Sequence, residues 1–200
     1  VVKWWCEMMG NSYIRCFMAG VMIGVAAIVS ANANEIVSPF IFSIGLLVII
    51  ACDFPLFTGR IGDYDVLKNG IFGALKCLIL NCAGAAFVSL YFSAFPIPDA
   101  LLKTVAYKNS LSLVQLFVNG TLCGMMMYTA VVLRQKFKVQ ELIIVMAVGA
   151  FLIGKFDHSI ADAFYFTLDG FSLYDVARVF IVAFGNAVGA KILAHTKSKN

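Results

Sequence analysis

Long apolar runs follow one another along the whole chain, interrupted only by short polar segments. Six can be drawn, at roughly 14–33, 37–58, 70–94, 112–133, 140–166 and 173–194. Each is close to the ~20 residues that an α-helix needs to cross the hydrocarbon of a bilayer. The runs are continuous and do not alternate with period two, so they predict helices and not the strands of a barrel. Polar and turn-forming residues collect between them: Asn32 to Glu35, Arg60 to Lys68, Pro96 to Asn109, Arg134 to Lys138, and Asp169 to Asp175. None of these connections is long enough to lead to another domain, so residues 1–200 read as a single transmembrane domain.

The pattern repeats. Phe17-x-x-Gly20-x-x-x-Gly24 in the first run recurs as Phe117-x-x-Gly120-x-x-x-Gly124 in the fourth. Gly45 in the second run corresponds to Gly149 in the fifth, and Asn81-x-x-Gly84-Ala85 in the third returns as Asn186-x-x-Gly189-Ala190 in the sixth. The order is kept, and the offset drifts only from 100 to 105 residues. Three crossings per half is an odd number, so the halves, about 14–94 and 112–194, are expected to be inverted relative to one another in the bilayer. The expectation is an all-α membrane protein of six transmembrane helices, built as two inverted three-helix repeats in an aquaporin-like architecture. Inverted repeats with interrupted helices belong to channels and transporters. Small-residue motifs also serve as plain helix-packing surfaces, and that reading stands beside the first.

Composition agrees: 62% of the residues are apolar and 13% charged, against about 25% charged in soluble domains. Disorder, collagen and a disulfide-rich secreted fold are excluded on the same grounds. With the N-terminus inside, the inner segments collect Lys3, Arg15, Arg60, Lys68, Lys76, Arg134, Lys136, Lys138, Lys191, Lys197 and Lys199, and the outer ones only Lys103, Lys108 and Arg178. By the positive-inside rule both ends are cytoplasmic, in a cell inner (plasma) membrane. Trp4 and Trp5 beside Lys3 suit an interfacial anchor. The N-terminal segment lacks the basic–apolar–small-residue order of a cleavable signal. The six cysteines (Cys6, Cys16, Cys52, Cys77, Cys82, Cys123) form no C-x-x-C pair and read as small buried side chains.

Chemistry enters in the second and fifth runs, which each carry polar groups at mid-membrane depth. Asp53 and Pro55 interrupt the second; Pro55 cannot continue a helix but fits the first turn of a new one. Lys155, Asp157, His158, Ser159 and Asp162 interrupt the fifth, where Ser159 with Asp162 three residues on has the form of a capping box. Broken backbone at this depth is tolerated only where protein or a water-filled cavity satisfies it. Two half-helix N-termini facing each other present free N–H groups and positive dipole ends, which favour an anion. An ionisable residue such as His158 is expensive here and functional by default; a hydrogen-bonded structural histidine is the alternative.

Phe42-Ser43-Ile44-Gly45-Leu46 through Leu56-Phe57-Thr58-Gly59 resembles the second-span signature of the formate/nitrite transporter family. Phe156-Asp157-His158-Ser159-Ile160-Ala161 is similar to its fifth-span signature, and Phe184-Gly185-Asn186-Ala187-Val188-Gly189-Ala190 to its sixth. Lys108, 16 residues before Gly124, matches the position of that family's extracellular lysine. The resemblance covers about residues 14–194 and implies six helices around a central pore in each subunit of a homopentamer. It implies that Phe42, Leu46, Leu56, Phe57, Met127 and Phe151 narrow the pore on both sides of His158, with Thr58 near that histidine and Asp162 in the central pore. Without the resemblance, those apolar residues read as ordinary packing. Lys108, Lys155 and Asp157 would set the charge of the vestibule, and Asn81 and Asn186 mark the repeat.

The departures carry weight. The family commonly has asparagine where this chain has Gly124 and Asp162, an acidic residue where Pro55 stands, and a small residue in place of Lys155. Asp53, Lys155 and Asp162 therefore change the polar lining near the histidine. An ion pair of Lys155 with Asp157 or Asp162 and a role in selectivity are the two readings. The function expected is passage of a small monovalent weak-acid anion of the formate, nitrite or hydrosulfide class, alone or with a proton, with no cofactor, metal or nucleic acid. A neutral-solute pore is disfavoured by the absence of paired Asn-Pro-Ala motifs; a non-transporting scaffold or sensor of the same fold is the remaining alternative. An intramembrane enzyme or redox subunit would need several convergent ligands, and the chain has only His158 and His195.

Overall fold

The computed structural model describes residues 12–64 and 70–196. Lys3, Trp4, Trp5, Cys6, Lys68, Lys197 and Lys199, used above for the anchor, the cysteine reading and the charge bias, lie outside the described residues. In chain order the helices are α1 (Ser12–Ala31), α2 (Ser38–Ile41), α3 (Ser43–Ala51), α4 (Phe57–Arg60) and α5 (Ile71–Phe92). They continue as α6 (Asp99–Asn109), α7 (Leu113–Val131), α8 (Gln140–Ile153), α9 (Ser159–Leu168) and α10 (Leu173–Thr196). Helices α1, α5, α7 and α10 are each long and apolar enough to cross a membrane. The second and fifth apolar runs are the interrupted ones, divided into α2, α3 and α4 and into α8 and α9.

Small residues decide which helices meet. Helix α1 packs along α5, and α7 along α10. A Cβ added to Gly20 would lie 1.8 Å from the Asn81 carbonyl oxygen, and one added to Gly124 would lie 2.1 Å from that of Asn186. At each place backbone touches backbone, so only glycine fits. The short helices cross over between the halves: α4 packs on α7 and α10, while α9 packs on α5 and α1 as well as on α10. Large apolar side chains such as Phe72, Leu90, Val114, Ile153 and Phe184 stay exposed on the outside, as a lipid-facing surface requires.

Both breaks have the same construction. After α3, Asp53 takes a left-handed conformation (φ 51°); after α8, Lys155 does the same (φ 54°). In each, the next residue's N–H reaches back to the last turn, Phe54 to the Ile49 carbonyl and Phe156 to the Phe151 carbonyl, both at 2.9 Å. The N–H of Asp53 bonds the Ile50 carbonyl at 3.1 Å and that of Lys155 the Leu152 carbonyl at 3.0 Å, which completes a Schellman end in both halves. Glycine is the usual residue at such a left-handed cap, which explains why a small residue is the expected occupant of position 155.

Three local expectations are corrected. Pro55 precedes the cap of α4, which is Leu56, and so lies outside that helix's first turn. The cap of α9 is His158, not Ser159, so no Ser159–Asp162 capping box forms. The polar segment from Pro96 to Asn109 contains a helix, α6, whose buried residues Leu101, Val105 and Lys108 recur at helical spacing.

Candidate functional site

Each half-helix is held from behind by one asparagine. Asn81 on α5 accepts from the Phe57 N–H (2.8 Å) and donates to the carbonyls of Cys16 (2.7 Å) and Pro55 (3.0 Å). Asn186 on α10 accepts from the Ser159 N–H (3.0 Å) and donates to the carbonyls of Gly120 (2.8 Å) and Asp157 (3.0 Å). Both asparagines are fully buried. Each therefore satisfies two backbone groups that the break leaves without partners, in a place where water cannot, and ties them to a carbonyl of a neighbouring long helix, Cys16 of α1 or Gly120 of α7.

The residues capping the two half-helices occupy matching places and differ in chemistry: Leu56 at α4, His158 at α9. His158 Nδ1 accepts from the Ala161 N–H at 3.2 Å, and its Nε2 lies 2.8 Å from Thr58 Oγ1. A backbone N–H can only donate, so Nδ1 is the unprotonated nitrogen and Nε2–H donates to the threonine. The imidazole is thus the neutral tautomer, with both nitrogens engaged by protein. Its ring stacks on Phe151 (centroids 6.0 Å apart), which meets Phe42 edge to face (5.9 Å).

Beside the histidine lies a buried charge cluster. Lys108 Nζ is 2.6 Å from Asp157 Oδ1 and 2.5 Å from Asp162 Oδ1, and neither carboxylate is exposed. Asn119 donates to Asp157 Oδ2 at 2.9 Å. Burial works against the Lys108 ammonium, but Asp162 and Asp157 outweigh it and hold its pKa above the ordinary lysine value. Lys108 sits near the end of α6, and that end is clamped by Arg178. The guanidinium bonds the Lys108 carbonyl, Asn109 Oδ1 (2.9 Å) and Asp175 Oδ1 (2.8 Å), and lies over the Phe166 ring.

This arrangement corrects the charge pairing expected from the sequence. Lys155 pairs with neither aspartate: its side chain is exposed and its ammonium lies 4.9 Å from the centroid of the Tyr107 ring. Asp53 does not join the histidine's surroundings. It is exposed, pairs with Arg15 and Arg60, and lines a separate cavity. Sequence reasoning missed Asn119 and Arg178 as partners of the cluster. Asn119, inside the Phe117-x-x-Gly120 motif and next to its glycine, is a legible polar outlier in an apolar run; Arg178 enters the sequence reading only for its charge.

A cavity of about 300 Å³ descends from Ser38, Lys103 and Tyr107 to Lys108, Phe151 and His158. A second, of about 480 Å³, is bounded by Ile49, Leu56, Arg60, Asp63, Val131 and Arg134. Phe42 lines the first cavity and Leu56 the second. Leu46, Phe57 and Met127 pack with them in one buried core. Cys16, Cys77, Cys82 and Cys123 are free thiols. Among the described residues, no three His, Cys, Asp or Glu side chains converge to hold a metal ion.

Residues 7–196 match the family described as formate/nitrite transporter. No curated protein matches the chain. Solved structures share its fold, among them the following two. One, an FNT family ion channel, is 21% identical, with a TM-score of 0.75 over 90% of this chain and 86% of that one. The other, a pentameric formate channel with formate bound, is 16% identical, with a TM-score of 0.76 over 95% of this chain and 96% of that one.

Proposed function

The chain belongs to the formate/nitrite transporter family, a membrane protein family, and on that footing we propose that it is a transmembrane channel for small monovalent weak-acid anions of the formate, nitrite or hydrosulfide class. The observation that carries this reading is the junction of the two half-helices, where Thr58 of one meets His158 of the other at 2.8 Å. On the proposal, residues 14–94 and 112–194 are inverted three-helix repeats giving six crossings, with both ends cytoplasmic in an inner (plasma) membrane. The matched Asn81 and Asn186 latches, the matched Schellman ends and the crossing-over of α4 and α9 support it. Five copies would form a ring, as in the pentameric formate channel whose fold the chain shares.

Mechanism follows from the same residues. The cavity that descends to His158 is the outer vestibule, and the one beneath Leu56 is the inner one. Phe42, Phe151, Leu46, Leu56, Phe57 and Met127 form the apolar zone between them, where a bare ion would meet a cost of tens of kcal/mol by Born estimates. The Thr58 hydroxyl, whose oxygen accepts the His158 Nε2–H and whose own proton is left to donate, is the polar group a solute meets in that zone; Asp157 and Asp162 set the charge around Lys108 just above it. Purified protein in liposomes tests the reading: it should take up formate, nitrite and hydrosulfide faster than glycerol. Glycerol uptake without formate uptake would make it a neutral-solute pore, and uptake of none would leave a scaffold. His158→Asn with unchanged flux and pH dependence would remove the role given to the imidazole.

A further inference from the structure

Lys108 carries one positive charge and is closely paired with two carboxylates, Asp157 and Asp162. The next cation, Arg178, is already matched by Asp175 and held by Asn109 and the Lys108 carbonyl. Lys155 lies out over Tyr107. The other titratable groups around the cluster are Cys82 of α5, Cys123 of α7 and Tyr165 of α9, together with the neutral His158. None of these supplies positive charge. The Lys108 ammonium donates a hydrogen bond to Asp157 Oδ1, while Asp162 Oδ1 is held 2.5 Å away as an ion pair. The buried Asp162 Oδ2 has no hydrogen-bond partner in the protein, so the second carboxylate is present without the support that Asn119 gives the first.

We propose that Asp162 sets the charge selectivity of this conduit: by giving the Lys108 ammonium a second carboxylate, it closes the outer vestibule to permanently ionised monovalent anions. The inference rests on the channel reading above and deepens it. A solute that is always ionised meets no uncompensated cation at the last polar position before the apolar zone, so its desolvation goes unopposed. A weak acid escapes this by entering in its neutral form. Its anion takes a proton from the water outside, crosses as the acid, and releases the proton to the water inside.

Nitrite and nitrate are suitable probes, being small monovalent oxyanions of which only nitrite has an accessible neutral acid. In liposomes, corrected for protein-free vesicles, the wild type should carry nitrite, with a rate rising about tenfold for each unit fall in external pH. Nitrate should stay at background. Asp162→Asn or Asp162→Ser, which remove one negative charge a few Å from the path, should raise nitrate flux by about ten- to a hundredfold. Asp162→Glu should keep nitrate out. Equal carriage of nitrite and nitrate by the wild type overturns this inference alone, whether or not any variant assembles. So does an assembled Asp162→Asn or Asp162→Ser protein that still excludes nitrate. A wild type that carries neither nitrite nor formate overturns the channel reading and this inference with it.

Discussion

Replacing Asn186 with alanine removes one side chain and strands two buried backbone groups, the Ser159 N–H and the Asp157 carbonyl, besides taking an extra bond from the Gly120 carbonyl, which keeps its partner within α7. A buried group left without its partner costs about 1–3 kcal/mol, so the two together cost about 2–6 kcal/mol. No bulk water reaches this depth to take over the bonds, which places the effect in the upper part of that range. Since whole domains are held by only about 5–15 kcal/mol, Asn186→Ala should be folded marginally or not at all. Equilibrium denaturation of detergent-purified protein, followed by circular dichroism, measures it. Thr121→Ala is the control. Its hydroxyl only adds a bond to a carbonyl one turn back in its own helix, and its loss should cost under about 0.5 kcal/mol. An Asn186→Ala protein within about 1 kcal/mol of wild type would refute the claim that the latch holds the half-helix. Asn81 makes the same three kinds of bond, and Asn81→Ala should cost a similar amount.

Lys108→Ala leaves two buried carboxylates facing each other without their cation, and should cost about 3–5 kcal/mol, read from the same denaturation curves. Because the Lys108 pKa is raised by its partners, its stabilising contribution is fully present below the unfolded-state value of about 10.4 and is lost only as pH climbs beyond it. A wild-type stability curve that loses this contribution between pH 6 and 9, by comparison with Lys108→Ala, would contradict the pairing. Gly124→Asn, the residue common in the family, should fail here, because even its Cβ would press 2.1 Å from the Asn186 carbonyl oxygen; normal assembly on gel filtration would show that α7 and α10 do not pack this closely. Arg178→Lys cannot bond the Lys108 carbonyl, Asn109 and Asp175 together. It should lower weak-acid uptake several-fold by loosening the end of α6, with less effect on denaturation than Lys108→Ala.

Periodicity and repetition made much of the frame readable. The four long helices fall within a few residues of their apolar runs, and the glycines of the duplicated motif lie where helix backbones touch. Asn81 and Asn186 stood out as polar residues repeated in register, but their bonds, to half-helices two dozen residues away, have no local signature. The breaks were placed correctly by Asp53 and Lys155, yet read as pore chemistry, because a left-handed cap is normally announced by glycine. Helix α6 was hidden by its mixed composition, although Leu101, Val105 and Lys108 share one face. The pairing of Lys108 with both aspartates depends on how α6 folds back across the site, and spacing along the chain could not foretell that.

The asparagine latches grip the short helices through main-chain atoms alone. Whatever side chain stands at the front of a short helix is therefore spared most of the mechanical duty, and leucine serves at one front where imidazole serves at the other. A frame fastened by its backbone can accept new chemistry at its centre one residue at a time, and the two mouths of the passage are free to evolve different tastes.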